Sequence, residues 1–115
     1  MAVEQTRNPT ACKRVNDGII QVFTVLGKRW NGPIVAVLME QPTYYADLRR
    51  AIPGLSGRVL TDRLVELSAV GLVVREVEAG PPLRVRYRLT ESGAALENAI
   101  EQLGMWGDKH LNRSR

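Results

Sequence analysis

The chain has 115 residues, 44% of them apolar and 24% charged, with sixteen basic against twelve acidic side chains and a net charge of +4. That length makes one domain with a modest core, no apolar run approaches the roughly 20 residues that cross a bilayer, and residues 1–10 lack the apolar stretch of a secretory leader. A cytoplasmic protein without membrane contact is expected, and the single cysteine, Cys12, excludes an internal disulfide framework and any cysteine-rich zinc site.

Residues 1–11 read as a flexible arm, and residues 12–111 as the folded domain. From Val15 the apolar positions Ile19, Phe23 and Leu26 fall at helical spacing up to Gly27, a suitable helix end. A second helix is expected from Asn31, with Pro33 in its first turn, Ile34, Val37 and Leu38 on one face, and a stop before Pro42. Thr43 to Tyr45 suit a very short strand. A third helix over Ala46–Ala51 turns Leu48 inward, with Ile52, and Arg49 and Arg50 outward. Pro53-Gly54 makes a turn, Ser56 caps a fourth helix with a Leu60, Leu64 and Leu67 stripe, and Gly71 ends it.

The period then falls from about 3.6 to 2. Leu72–Glu78 reads as a strand and Ala79–Pro82 as a turn. In the next run Leu83, Val85, Tyr87 and Leu89 alternate with Arg84, Arg86 and Arg88, as in a strand with one face buried. Thr90 caps a last helix carrying Ala95, Leu96, Ala99, Ile100, Leu103 and Trp106. The order is helix, helix, short strand, helix, helix, β-hairpin, helix. This is an α+β winged helix-turn-helix, with additional N- and C-terminal helices suited to a dimer.

The charge is unevenly spread: between Lys28 and Arg88 ten basic residues face six acidic ones, and beyond Leu89 the excess disappears. A basic centre favours a polyanion. In a helix-turn-helix the start of the second helix enters the major groove of double-stranded DNA, which here presents Ser56, Gly57, Arg58, Thr61 and Asp62. Arg58 suits a guanine edge and Thr61 a thymine methyl or a phosphate; alternatively Arg58 and Asp62 form a solvated i, i+4 pair, worth only ~0.2–0.5 kcal/mol. Arg49 and Arg50 suit the DNA backbone.

Arg84, Arg86 and Arg88 share one strand face, with Arg75 on the neighbouring strand. Like charges so placed repel and give the fold nothing, so phosphate contact explains them; a charged edge blunted against aggregation is the alternative. Ile19, Phe23, Ile100, Leu103 and Trp106 are the expected homodimer contacts, since a two-fold dimer doubles the site read. No cofactor, metal or catalytic activity is expected: His110 is the only histidine, with Lys109 beside it, and no phosphate loop or ligand spacing occurs. A winged helix that binds protein or RNA instead is the rival reading.

Gly27-Lys28-Arg29-Trp30, Asp47 through Ser56, Leu60 through Leu67, Gly71-Leu72-Val73, Pro82 through Thr90, Gly93 and Trp106 together resemble the HxlR family, over roughly residues 12 to 110. The resemblance implies a MarR-like prokaryotic regulator of transcription, in most cases a repressor. Such proteins dimerise through terminal helices and bind inverted-repeat operators, and several respond to aldehydes, quinones or oxidants. Three features depart from the family pattern. Tyr44 and Ala46 stand where arginine and a capping serine are frequent, which removes a phosphate contact there. Arg86 and Arg88 replace acidic or neutral residues. Cys12 lies about one helical turn farther from Trp30 than the usual N-terminal cysteine. Lys13 and Arg14 beside Cys12 favour a thiolate, making it the candidate redox residue; an inert thiol at a frayed helix start is the alternative.

Overall fold

A computed structural model describes residues 14–111; Cys12 and the expected arm over residues 1–11 lie outside them. Helix α1 (Asp17–Leu26) starts where Asn16 accepts the Ile19 N–H, and ends at Gly27. Helix α2 (Asn31–Glu40) follows a sharp elbow at Trp30, whose φ of 83° is left-handed. Strand β1 (Thr43–Tyr44) leads straight into α3 (Tyr45–Ala51), which has no side-chain cap. Helix α4 (Gly57–Ala69) opens with Ser56 Oγ accepting the Val59 N–H. It closes in a Schellman turn: Gly71, at φ 83°, donates to the Ser68 carbonyl and Leu72 to that of Leu67.

Strands β2 (Val73–Glu78) and β3 (Arg84–Leu89) form the hairpin. All pairing is antiparallel, in the order β1-β3-β2, with Tyr87 opposite both Thr43 and Arg75. The core gathers Ile34, Val35 and Leu38 of α2, Leu48 of α3, the α4 leucines Leu60, Leu64 and Leu67, then Ile52, Leu55, Val73 and Tyr87. Burial fades toward the hairpin tip. Leu83, expected inward, is 68% exposed because the hairpin projects beyond the helices that would cover it.

The last helix, expected to be continuous, is broken into α5 (Glu91–Ala94) and α6 (Glu97–His110). Just ahead of the break, at Gly93, a Cβ would stand 2.3 Å from the Leu72 carbonyl, so the turn packs directly on that backbone. Thr90 pins the same turn, donating its hydroxyl to the Gly71 carbonyl and accepting the Gly93 N–H. Leu96 then bonds back to Gly93 in a tight i, i+3 turn before α6 begins. Neither α1 nor α6 has a buried residue, although both carry apolar stripes. The radius of gyration, 17.6 Å, accordingly exceeds the ~13 Å of a compact chain of this size.

Candidate nucleic-acid interface

The two helices of the helix-turn-helix are locked at their near ends by one side chain. Tyr45, in the first turn of α3, donates its hydroxyl to the Gly57 carbonyl at 2.9 Å and lies 3.1 Å from Thr61 Oγ1. Gly57 is thereby covered: a Cβ there would stand 3.2 Å from the Tyr45 hydroxyl and 3.1 Å from an Arg49 nitrogen. Beyond this contact Arg58, Thr61 and Asp62 are exposed. The i, i+4 pair considered for Arg58 and Asp62 is not formed; among the described residues the Arg58 guanidinium has no ionic partner. Arg50 instead pairs with Asp47, one turn back on its own helix.

A groove of about 570 Å³ runs between this helix pair and the hairpin, lined by Asp47 and Arg50 of α3, Thr61 of α4, Arg75 of β2, and Leu83 and Arg84 at the tip. The exposed start of α4 and the wing therefore border one surface. Alternation along β2 puts Arg75 on the side of Val73 and Tyr87, the side that faces the helices, and it has no ionic partner among the described residues. The Arg84 guanidinium lies 3.6 Å from the centre of the Tyr44 ring, a cation–π stack that holds it at the groove rim.

The opposite face of the hairpin corrects the expectation that its arginines repel and give the fold nothing. Register places Glu76 against Arg86 and Glu78 against Arg84. Arg86 bonds Glu76 at 3.1 Å and approaches Glu78 at 3.4 Å, and Arg88 bonds Glu76 at 2.7 Å. Arg88 and Arg86 hold the Glu76 carboxyl below its ordinary value. Tyr44 closes the network by donating to Glu78 at 2.8 Å, a bond that raises its phenol above the usual range. Two of the three β3 arginines are thus tied to carboxylates that a sequence count could not assign. Arg75 was placed by sequence only on the neighbouring strand; the period-2 register that aligns it with Tyr87 was the signal that would have singled it out.

A second ionic cluster joins the α1–α2 elbow to α4. Glu66 accepts from Lys28 at 2.8 Å and from Arg63 at 2.9 Å, which keeps its carboxyl below the ordinary range, and Arg63 also donates to the Arg29 carbonyl. Far from the groove, Ile19 and Phe23 of α1 and Ile100, Leu103, Met105 and Trp106 of α6 line an open apolar trough of about 940 Å³. Among the described residues no cluster of His, Cys, Asp and Glu could hold a metal, and no helix is long and apolar enough to cross a membrane.

A helix pair clamped at a fixed angle, with a three-stranded sheet whose hairpin borders the same groove, defines a winged helix-turn-helix protein. The chain belongs to the HxlR-like helix-turn-helix family, whose model matches residues 25–115. It is 40% identical over 87 residues to the HTH-type transcriptional regulator YodB of Bacillus subtilis strain 168, spanning 76% of this chain and 78% of that protein. Reduced YodB from B. subtilis superposes with a TM-score of 0.74 at 36% identity, covering 84% of this chain and 95% of that one. The redox regulator HypR in its oxidized form gives 0.77 at 33% identity, covering 81% and 96%. YodB is also known in diamide-treated and quinone-bound forms. The chain is a MarR-like transcriptional regulator.

Proposed function

We propose that two copies of this chain bind an inverted-repeat operator in double-stranded DNA and repress transcription, releasing it in response to an oxidant, an electrophile or a small ligand. The observation that carries this reading is the shared groove: Thr61 of α4 and Arg75 of the wing line it, and Arg58 is exposed one turn before Thr61, both arginines without an ionic partner among the described residues. Arg58, Thr61 and Asp62 face the major groove, with Ser56 and Gly57 setting the start of α4. Arg75 and Arg84 carry the wing's backbone contact, Arg88 and Arg86 support it from the far face, and Arg49 and Arg50 meet phosphate.

The uncovered trough of α1 and α6 is where the second copy packs, through Ile19, Phe23, Ile100, Leu103 and Trp106. The reduced, diamide-treated and quinone-bound forms of YodB and the oxidized form of the redox regulator HypR support an oxidant or electrophile as the signal, with Cys12 as the candidate thiol. We assign the protein no enzymatic role and no cofactor, and place its action in the cytoplasm. Selection from a random duplex pool, followed by anisotropy titrations across salt, tests the reading. An enriched palindrome whose affinity falls steeply with salt is expected; equal affinity for all duplexes, or for RNA, would overturn it.

A further inference from the structure

Thr61 is exposed toward the groove, yet its hydroxyl is not free to act in either direction. A carbonyl oxygen only accepts, so the 2.9 Å bond between Tyr45 and Gly57 uses the single proton of the phenol. The 3.1 Å contact between Tyr45 and Thr61 then has one polarity: the threonine hydroxyl donates and the phenol oxygen accepts. The threonine oxygen is then left only to accept, through its two lone pairs, where Thr61 lines the groove. Phosphate oxygens, guanine O6 and guanine N7 are all acceptors, and none of them can bond a threonine oxygen whose proton points elsewhere.

We infer that Tyr45 is a specificity-positioning residue, which locks Thr61 as an acceptor so that it reads an A·T pair in the major groove and rejects guanine. This rests on the proposed operator binding and names what one position of that site recognises. Only an A·T pair offers both partners Thr61 can use, the adenine N6 amino group as donor and the thymine methyl as an apolar neighbour. Cytosine supplies the amino group without the methyl.

Selection of duplexes by wild type, Y45F, T61V and T61S, with thermal melts of each, tests the inference. The position read by Thr61 is the one whose preference T61V alters, and wild type is expected to require A·T there. Y45F releases the threonine proton, so G·C becomes tolerated and discrimination at that position alone falls by about fivefold; adding Y45F to T61V changes nothing further. T61S keeps the locked hydroxyl and loses the methyl, so it still requires a major-groove amino group, adenine N6 or cytosine N4, at the contacted base, which keeps the inference testable should Y45F fail to fold. Unchanged discrimination in Y45F, equal weakening on every sequence, a contacted base without a major-groove amino group accepted by T61S, or no position altered by T61V would each overturn it. Wild type selecting no duplex at all would instead overturn operator binding itself, a distinguishable result.

Discussion

Two arginines of the hairpin, one strand position apart in register, have opposite fates. Arg75 faces the helices without an ionic partner, whereas Arg86 lies across Glu76 and Glu78 with its Nε enclosed. Arg75→Ala is expected to weaken all duplexes alike and to lower the slope of log affinity against log salt by about 1, as loss of one phosphate contact requires. Arg86→Ala is expected to lower Tm by a few degrees, because two carboxylates are left facing one another, with little change in that slope. Salt titrations and melts on the two variants separate these outcomes. Composition shows the basic excess of the hairpin but not its pairing, since charge partners on adjacent strands depend on register. Arg58 was legible for the opposite reason: its surroundings are set by local helical periodicity alone.

Among the elements, those governed by local chemistry were legible. Ser56 caps α4 and Gly71 ends it, and the leucine stripe of Leu60, Leu64 and Leu67 faces the core. Leu64 is 1% exposed, and Leu64→Ala is expected to cost about 2–5 kcal/mol of stability in denaturant titrations. The break between α5 and α6 was not legible, because the turn beside it packs at Gly93 on the Leu72 carbonyl, a contact between residues twenty-one apart in sequence. The ionic clusters on the hairpin and at the elbow also make stability depend on pH. Glu66 and Glu76 titrate below the ordinary value of 4.5 when folded, so between the two values the unfolded chain binds more protons. The stabilisation is therefore complete above that ordinary value and is lost as pH falls through the depressed ones. Tm is expected to hold near neutrality and fall in acid, and E76Q, which removes one titrating group, should make that fall shallower.

At the scale of the whole molecule the fold divides between a packed helix-turn-helix body and two terminal helices that project without burying a residue. A trough lined by Phe23, Leu103 and Trp106, the last 54% exposed, would leave a monomer with an apolar surface that water disfavours. Trp106→Glu is expected to convert a dimer into a monomer by sedimentation, with helix content intact and operator affinity much reduced; a dimer of unchanged stability would remove this trough from the interface. The most direct test of the central claim, that α4 reads bases while the wing grips the backbone from the same side, is the affinity of Arg58→Ala and Arg75→Ala for the selected operator and for a scrambled duplex of equal length. Arg58→Ala is expected to erase most of the ratio between the two, and Arg75→Ala to lower both affinities while preserving it. Equal loss on both duplexes for Arg58→Ala would contradict the account.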